Sequence, residues 1–472
     1  MRIVFAYKGR YHVRDASTVE ILSAIAALHQ HETLLLYDQD VFGVTDNVFS
    51  NTTLNKFLSN DDVTVRHLLA KSPDAVIFLD QCNRRRWNET IASKLKNIRK
   101  DTVTVALVPW EGLPVSRTAF DYILIGEPEH TFEKFLSERI YDKDKGVFRL
   151  DGLADLDRLP LPDKRLFAPY INFRDSYLIY TSRGCPYHCS YCEETIYRKK
   201  FGDAFFRRRS PENVISELAA AKKDFDAREV IYKDSVFAWD KRWLKEYLKL
   251  YKEKIGLAYK CFGKAEVFDD EIAALLKDTG CYCVEFGVQT FNEKLKRGYL
   301  QRSERTEVLL DAFSRCQRFS LRYDVDHLFG IPGERLEDHV ESTKIYVGLQ
   351  GLNRIKCHNL VYYREADIYE FAPGRIKDDR TYDADFFSSI SGDSAMLELN
   401  RLFEKYFKVL PLLPKRINLF ILKRSGWNAF RFVPGLIVIM LMSLLALKNA
   451  DTRFWVYGMY YPKKILNSLL KK

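Results

Sequence analysis

Thr181–Cys192 has the sequence TSRGCPYHCSYC, in which Cys185, Cys189 and Cys192 follow the spacing C-x3-C-x2-C. The stretch comes directly after an apolar run, Tyr177–Tyr180, that predicts a strand. Three thiolates on so short a loop indicate one metal centre, because soft thiolate ligands select iron–sulfur clusters, zinc or copper(I). A structural zinc site needs four ligands, usually from paired C-x2-C units, and no second unit follows. Three cysteines leave one iron of a four-iron cluster open to a substrate or cofactor.

The residues around the cysteines indicate which kind of metal centre is expected. Arg183 and Gly184 precede the first cysteine, and Tyr191 stands just before the last one. With these neighbours the loop resembles that of the radical S-adenosylmethionine (SAM) enzymes. The resemblance implies a 4Fe-4S cluster on the three cysteines, whose open iron chelates SAM and which cleaves it to a 5′-deoxyadenosyl radical. Tyr191 is then expected near the adenine of SAM. A zinc site or unrelated buried cysteines are the alternatives.

The length of the chain and the distribution of its cysteines limit the class of protein. A chain of 472 residues, 47% of them hydrophobic, has room for two or three domains with large cores. Met1–Tyr7 is too short an apolar run for a signal peptide, so a reducing, cytoplasmic location is expected. The cysteines outside the loop are scattered and are interpreted as small core residues: Cys82, Cys261, Cys281, Cys283, Cys316 and Cys357.

The positive charge is concentrated in the last part of the chain. The formal net charge is +10, but residues 401–472 contain 14 Lys and Arg residues and only two acids. The preceding 400 residues therefore carry a net charge of −2. Because no basic domain is evident in that larger part, nucleic acid is not expected as a partner, and a radical tRNA-modifying enzyme is disfavoured.

Apolar runs and helical patterns alternate through residues 1–150, which predicts an α/β domain with a doubly wound, Rossmann-like parallel sheet. The predicted strands are Arg2–Tyr7, Glu32–Tyr37, Asp74–Leu79, Thr102–Val108 and Phe120–Ile125. The predicted helices are Thr18–His29, Val63–Ala70, Asn88–Ile98 and one that begins at Thr131.

This order, with the stretch GEPE at 126–129, resembles the cobalamin-binding domain of one radical SAM subfamily, and the proline-rich Leu159–Asp163 resembles its linker, here residues 151–175. The resemblance implies cobalamin as a cofactor at the carboxyl ends of the strands. The usual D-x-H-x-x-G motif is absent, since Asp38–Asn47 contains no histidine, and no cobalamin ligand is assigned. A degenerate domain without cofactor is the alternative. The loops expected around the corrinoid are Lys8–Ser17, Asp38–Asn51, Asp80–Trp87 and Pro109–Val115.

Residues 176–365 show six strand–helix units, too few for a closed eight-unit barrel, and resemble the partial (β/α)6 barrel of the radical SAM enzymes. The active site of such a barrel lies at the carboxyl ends of its strands. The basic stretch Tyr197–Arg209 is predicted to be a loop. The predicted strands are Leu178–Thr181, Glu229–Tyr232, Ala258–Phe262, Tyr282–Phe286, Leu321–Phe329 and Ile355–Tyr362.

The resemblance also implies which strand ends hold SAM. EFGVQT, residues 285–290, is similar to the family's segment near the ribose, and FGIPGE, residues 329–334, to the turn beside the adenine. Lys264 and Ser235 depart from the family, which often has Arg and Asp there. No catalytic residue is assigned; Cys281 and Cys283 are either hydrogen-atom donors or core residues. The residues expected to bind SAM are Tyr191, Asp234, Lys264, Gln289, Gly330 and Pro332.

The C-terminal region, residues 366–472, is expected to be helical. Phe432–Leu447 is a 16-residue apolar run, shorter than the roughly 20 residues of a spanning helix, with Pro434 and Gly435 near its start. Aromatic residues and lysines follow it, which favours a segment that lies on an anionic membrane surface. A buried helix of a C-terminal domain is the alternative.

Together these features predict a cobalamin-dependent radical SAM methyltransferase, peripheral on the inner face of the membrane. Its substrate is expected to be hydrophobic or lipid-like and to be methylated on carbon, with a reductase, flavodoxin or ferredoxin as electron donor. The alternatives are a radical cyclisation, oxidation or rearrangement without methyl transfer, and a non-enzymatic metal-binding protein at the membrane.

Overall fold

The computed structural model describes residues 1–11, 14–43, 52–80, 84–110, 115–373, 394–449, 451 and 461–470. Cys82, parts of the loops expected around a corrinoid and the aromatic residues 454–460 lie outside this part of the chain. The chain forms two compact units. Of the described residues, unit 1 contains 1–172 and 461–470, and unit 2 contains 173–373, 394–449 and 451.

Unit 1 is built on a parallel sheet, as the alternating pattern predicts. Its strands are β1 (Arg2–Lys8), β2 (Glu32–Asp38), β3 (Ala75–Leu79), β4 (Val103–Val108), β5 (Tyr122–Ile125) and β6 (Gly146–Arg149). They lie in the order β2-β1-β3-β4-β5-β6. Every residue of β3 is buried, because helices cover both faces of such a sheet and leave little room for polar side chains. The short strand β6 is not predicted by the sequence.

The helices of unit 1 are α1 (Arg14–Leu28), α2 (Thr52–Leu58), α3 (Asp61–Ala70), α4 (Arg85–Ile98) and α5 (Pro128–Ser137). Helix α5 begins three residues before the predicted Thr131, because Pro128 takes the first helical position, where its missing N–H costs nothing. Helix α2 was not predicted. The C-terminal helix of the chain, Tyr461–Leu470, also belongs to this unit and contacts α2.

Polar contacts fix the proline-rich segment on α1. Lys164 and Glu20 form a buried ion pair of 2.7 Å, and the Tyr11 hydroxyl donates to the same carboxylate at 2.6 Å. The hydroxyl of Ser23 donates to the carboxylate of Asp163 at 2.8 Å. The residues just before unit 2 are therefore an integral part of unit 1 rather than a loose connection.

Unit 2 contains a second parallel sheet, with the order β14-β13-β12-β11-β10-β7. Its strands are β7 (Tyr177–Ile179), β10 (Glu229–Tyr232), β11 (Ala258–Gly263), β12 (Cys281–Gln289), β13 (Arg322–Phe329) and β14 (Leu352–Asn359). Its helices are α6 (Glu193–Phe201), α7 (Pro211–Phe225), α8 (Lys241–Lys254), α9 (Asp270–Asp278), α10 (Glu293–Gly298), α11 (Thr306–Arg318) and α12 (Leu336–Gly348). Six parallel strands with intervening helices confirm the partial barrel, although β14 begins three residues before the predicted Ile355.

The prediction of a loop at Tyr197–Arg209 is wrong. The segment contains the second half of α6 and the strand β9 (Arg207–Arg208), which pairs antiparallel with β8 (Ser182–Arg183). Although the segment is rich in basic residues, it has a buried aromatic face. There the Tyr197 ring stacks on Phe205, with centroids 5.0 Å apart. Charge density alone does not distinguish a loop from a helix with one apolar face.

The C-terminal region is helical, as predicted. It contains α13 (Ser394–Val409), α14 (Lys415–Lys423), a 3-10 helix (Gly426–Phe432) and α15 (Gly435–Lys448). Helix α13 packs against β14 and α15. Within the described residues no single helix has the length and apolar composition to cross a membrane. The 3-10 helix and α15, which are bent by 114°, pass that test only as a pair.

Candidate functional site

The cysteine loop follows β7 and is shaped by a glycine. Gly184 has a φ of +84°, and a Cβ there would lie 3.0 Å from the Cα of Phe206. A larger residue is therefore excluded at this turn by both conformation and space. Cys185, Cys189 and Cys192 follow with reduced, half-buried thiols.

Helix α6 fastens the loop from one side. It begins directly after Cys192, whose N–H donates to the carbonyl of Cys189 at 3.1 Å. Thr195 donates its hydroxyl to the same carbonyl at 2.9 Å, and Arg198 donates to the carbonyl of Pro186 at 2.9 Å. The cysteine backbone is thus set before any ligand binds.

A second segment holds the loop from the other side. The N–H of Ser190 donates to the carbonyl of Leu300 at 3.1 Å, and its hydroxyl donates to the carbonyl of Tyr299 at 2.5 Å. The carbonyl of Ser190 accepts from the N–H of Ile368 at 3.1 Å. Three parts of unit 2 therefore converge on the middle of the loop.

The chemistry of the thiols fits a metal cluster. Burial raises the pKa of Cys185 to about 11, so this thiol is a poor nucleophile and ionises when a metal displaces its proton. Three sulfur donors on one short, pre-shaped loop match the ligand set of a 4Fe-4S cluster. Cys185, Cys189 and Cys192 are the residues that would hold it.

Arg302 connects the loop to the sheet, a role that no sequence pattern predicts. Its guanidinium donates to Tyr191 Oη at 3.3 Å, to the carbonyl of Gly287 at 2.7 Å and to Glu304 Oε1 at 2.6 Å. Arg302 and Glu304 are 8% and 3% exposed. No motif includes these two residues, and a buried arginine looks in sequence like any surface arginine.

Two further residues predicted to bind SAM lie in this group. Lys264 Nζ is 3.4 Å from Glu304 Oε2 and lies 4.8 Å from the ring centroid of Tyr187. A Cβ at Gly287 would lie 2.8 Å from the side-chain amide nitrogen of Gln289, which itself has a φ of +64°. The structure therefore brings Tyr191, Lys264 and Gln289 together around Arg302.

Asp234 belongs to a separate group of buried polar atoms. Its Oδ1 accepts from the N–H and hydroxyl of Thr181, each at 2.9 Å, and from the hydroxyl of Ser182 at 2.5 Å. Its Oδ2 is buried without a hydrogen-bond partner in the described structure, and burial raises the pKa of this carboxyl. One oxygen thus positions the start of the cysteine loop, and the other can accept a hydrogen bond from a ligand.

The turn at Gly330–Gly333 has the backbone expected of a close approach to a ligand. Gly330 has a φ of +82°, and its N–H donates to Glu334 Oε2 at 2.7 Å. Tyr362 donates its hydroxyl to the carbonyl of Gly330 at 3.4 Å. Pro332 lies inside this turn. The role of all these residues in SAM binding stays a prediction.

Cys281 and Cys283 lie at the amino-terminal end of β12 and are 2% and 0% exposed. The carboxyl ends of the strands, where the predicted SAM residues lie, are at the opposite edge of the sheet. This placement favours core packing over hydrogen-atom donation.

One face of the sheet in unit 2 is strongly charged; we call it the charged face. Lys260 pairs with Asp324 and, at 2.9 Å, with Glu285. Arg354 pairs with Asp324 at 2.8 Å, and Lys356 pairs with Glu285. These pairs run across four neighbouring strands, so charged side chains form much of this face.

Lys233, at the carboxyl end of β10, is a cation of this face without an ion-pair partner in the described structure. Its Nζ lies 4.9 Å from the ring centroid of Phe262, on the neighbouring strand. Burial lowers the pKa of this amine, because the charged form is poorly solvated there. The carboxylates of Glu285 and Asp326 favour its charged form from beyond ion-pair distance.

Comparison with known proteins agrees with the cysteine loop. Residues 179–345 match the family model of the radical SAM superfamily. An uncharacterised methyltransferase of Pyrococcus horikoshii is 23% identical over 278 residues, which cover 54% of this chain and 59% of that protein. The cytidylyl-2-hydroxyethylphosphonate methyltransferase of Streptomyces wedmorensis is 25% identical over 178 residues, 34% of this chain and 32% of the relative. The chain therefore spans less than two thirds of the length of these relatives.

Two solved structures share the fold over most of the chain. TsrM from Kitasatospora setae, a radical SAM methyltransferase with tryptophan and a SAM analogue bound, has a TM-score of 0.57 at 14% identity and covers 78% of this chain and 75% of its own. The cobalamin-dependent SAM radical enzyme OxsB has a TM-score of 0.55 at 14% identity and covers 84% of this chain and 56% of its own. Residues 179–345 are therefore a radical SAM domain, and the chain has the fold of TsrM and OxsB.

Proposed function

We propose that the protein is a cobalamin-dependent radical SAM enzyme that methylates a carbon atom of its substrate. The observation that carries the proposal is the order of the two units. A doubly wound parallel sheet precedes a partial barrel that begins with the cysteine loop, and TsrM and OxsB share the fold over 78% and 84% of this chain. The similarity to methyltransferases of Pyrococcus and Streptomyces supports methyl transfer as the reaction.

The residues of unit 2 would hold the cluster and SAM in fixed positions. The cluster, when bound, supplies the electron that cleaves SAM. Asp234 Oδ2 is a suitable acceptor for the ammonium group of SAM. Arg302 holds Tyr191 against the loop, and Lys264 and Gln289 lie beside it. The contribution of the protein is binding, orientation and exclusion of water.

The carboxyl edge of the sheet in unit 1 fits a corrinoid. Strand β1 lies between β2 and β3, so the chain changes direction there, and ligands of such sheets bind at this switch point. The side-chain amide of Gln39, after β2, and the indole N–H of Trp87, after β3, are buried and have no hydrogen-bond partner among the described residues. Such groups suit the amide side chains of a corrinoid, which would bind without a histidine ligand from Asp38–Asn47.

The substrate that we propose is hydrophobic or lipid-like and carries an anionic group. We infer the hydrophobic part of the substrate from the apolar run Phe432–Leu447, which suits a protein at a membrane surface. We infer the anionic group from Lys233, whose amine lies against the Phe262 ring and forms no ion pair with a carboxylate in the described structure. A reductase, flavodoxin or ferredoxin would supply the electron.

The test uses protein purified without oxygen from cells supplied with cobalamin and then reconstituted with iron and sulfide. We expect about one corrinoid per chain and formation of 5′-deoxyadenosine after reduction with SAM. With lipid extracts as substrate, a product heavier by one CH2 group is expected. Cleavage of SAM without bound corrinoid would contradict methyl transfer and favour a radical cyclisation, oxidation or rearrangement. An assembled cluster that never cleaves SAM would favour a non-enzymatic metal protein.

The location that we propose is the surface of an anionic membrane, reached through α15. One stripe of this helix, formed by Val438, Met442, Leu445 and Ala446, is buried. The opposite stripe, Leu436, Met440, Leu444 and Leu447, is apolar and more than half exposed at each position. Residues 405–449 contain eight Lys and Arg residues and no acid. An exposed apolar stripe in a basic region is typical of interfacial helices.

We expect the full chain to sediment with vesicles that contain phosphatidylglycerol and not with pure phosphatidylcholine vesicles. Changing Leu436, Met440 and Leu444 to serine should weaken binding by at least about tenfold, because each inserted side chain contributes about 1 kcal/mol or more. The control is Leu161→Ser, an exposed leucine of unit 1. Equal binding of the two variants, or a dimer that dissociates in the triple variant, would contradict membrane docking.

A further inference from the structure

Three potential metal ligands lie together behind the Gly330–Gly333 turn, apart from the cysteine loop. They are His327 of β13, Glu334 at the end of the turn and His339 of α12. One ligand atom of each lies within 4.8 Å of those of the other two. His327 Nε2, Glu334 Oε1 and His339 Nδ1 are all buried and have no hydrogen-bond partner in the described structure. Three such atoms facing one another leave an unbalanced polar site in the core.

The second polar atom of His327 and that of Glu334 each have a hydrogen-bond partner. His327 Nδ1 lies 3.0 Å from the hydroxyl of Tyr346, and Glu334 Oε2 accepts from the N–H of Gly330 at 2.7 Å. This is the usual arrangement around a metal, in which one atom of a side chain binds the ion and the other atom is held by a neighbouring group. The hydrogen bonds orient both unpartnered atoms before any ion arrives.

The surroundings are closed and largely aromatic. The side chains of His339 and Glu334 are 1% and 2% exposed, and His327 is 1% exposed. The ring of His327 lies 4.8 Å from Phe329 and 4.9 Å from Phe407, and the ring of His339 lies 5.0 Å from Phe403. His339 Nδ1 and Glu334 Oε1 are 4.0 Å apart, too far for a hydrogen bond, and no lysine or arginine of the described structure pairs with this carboxylate.

We propose that His327, Glu334 and His339 bind one zinc ion. Two imidazoles and one carboxylate form a known zinc ligand set, with a fourth position left for water. The ion would satisfy all three unpartnered atoms at once. Iron(II) uses the same donor types, so metal analysis must separate the two ions.

The side chain of Asn400 on α13 would respond to the ion. Its Oδ1 lies 2.9 Å from His339 Nε2, and in this orientation it accepts the Nε2–H and leaves a lone pair on Nδ1 for zinc. The reversed amide satisfies more groups, because its nitrogen donates to Nε2 at 2.9 Å and to the carbonyl of Met396 at 3.3 Å, and its oxygen accepts from the N–H of Gly330 at 3.3 Å. That orientation places the imidazole proton on Nδ1, so zinc binding there would require the amide to turn. Metal binding and amide orientation are therefore linked.

The ion would act on the turn rather than on substrate. Glu334 connects the metal position to the Gly330–Gly333 turn, because one of its oxygens faces the metal position and the other accepts from the N–H of Gly330. A bound ion would fix that carboxylate and therefore the turn that is predicted to lie beside the adenine of SAM. The inference does not depend on methyl transfer or on cobalamin.

The experiment is metal analysis of the full chain, purified anaerobically from cells grown with zinc. We expect about one zinc per chain, in addition to the iron of the cluster. Zinc-edge X-ray absorption should show nitrogen and oxygen ligands at about 2.0–2.2 Å and no sulfur shell at about 2.3 Å. This distinction separates the proposed site from zinc held by the cluster cysteines. A sulfur shell, or less than a tenth of an equivalent of zinc, would overturn the proposal.

Two variants and a matched control extend the test. His339→Gln and Asn400→Leu should each lower the zinc affinity by at least about tenfold, because the first removes a ligand and the second removes its orienting partner. His358→Asn, a half-exposed histidine of β14, should keep zinc. Should a variant not fold, a competition titration of the wild-type chain with a zinc-binding dye still tests the site, and an affinity weaker than that of the dye overturns the proposal. Unchanged zinc in folded His339→Gln also overturns it.

Discussion

Cys189→Ala is expected to leave the protein without a stable four-iron cluster and to reduce formation of 5′-deoxyadenosine to background. Cys189 is the middle ligand of a loop whose three thiols are the cluster ligands that the sequence offers. With two cysteines the cluster loses a corner that no neighbouring side chain can replace, because α6 and the 299–300 segment fix the loop backbone. The measurement is iron and sulfide per chain together with reductive SAM cleavage, both without oxygen.

The control for this change is Cys316→Ala. Cys316 is a fully buried thiol of α11 and contributes packing alone, so its loss should cost stability but leave the iron content unchanged. If Cys189→Ala retained four irons per chain and cleaved SAM, the cluster would be bound elsewhere. The assignment of the loop would then be wrong.

Arg302→Leu is expected to destabilise the protein by about 3 kcal/mol and to impair SAM cleavage. Removing one partner of a buried ion pair leaves the other charge uncompensated, which costs about 3–5 kcal/mol. The lower end applies here because Lys264 remains 3.4 Å and Lys296 remains 4.0 Å from Glu304. The change also frees Tyr191 beside the cluster loop. Urea unfolding of the full chain, followed by a probe in unit 2, measures the loss of stability.

The pH dependence of the stability of this variant distinguishes the loss of the ion pair from the loss of packing. Burial alone would raise the pKa of Glu304, but Arg302 and Lys264 hold it below its usual value. A carboxyl with a lowered pKa stabilises the fold above its unfolded-state pKa, and this contribution is lost as the pH falls through the folded-state value. The loss in free energy of unfolding caused by Arg302→Leu should therefore be largest at neutral pH and should become smaller in acid. A deficit that does not change with pH would indicate lost packing only.

Arg315→Leu is the matched control for Arg302→Leu. Arg315 pairs with Asp270 at 3.2 Å, but both side chains are partly exposed to water. Exposed pairs contribute about 0–1 kcal/mol, because water screens the charges. We therefore expect little change in stability and none in SAM cleavage. A loss as large as that of Arg302→Leu would show that burial is not the deciding factor.

The fold was predictable because both sheets are parallel. Strands such as β3, AVIFL, are buried on both faces and appear in sequence as short apolar runs between helices. The same reasoning misses β6, GVFR, which lies at the edge of its sheet and is half exposed. It also misses α6, whose buried Tyr197 is hidden among lysines and arginines.

The site was predictable only where its residues are close in sequence. The cysteines lie within eight positions, so their spacing alone indicates a common centre. Arg302 contacts Tyr191 across 111 positions, and His327 and His339 meet only because β13 and α12 pack together. Such contacts depend on how strands and helices are arranged, and a single sequence does not contain that information in local patterns.

The charged face determines where this enzyme can change during evolution. Lys260, Glu285 and Asp324 share partners, so replacing any one leaves a neighbour with an unbalanced charge in the core. Lys233 lies against the ring of Phe262, and its loss leaves Glu285 with two other cation partners. Substitution at Lys233 should therefore cost less stability than substitution of a paired residue, which makes it the position on this face where the sequence can change most easily.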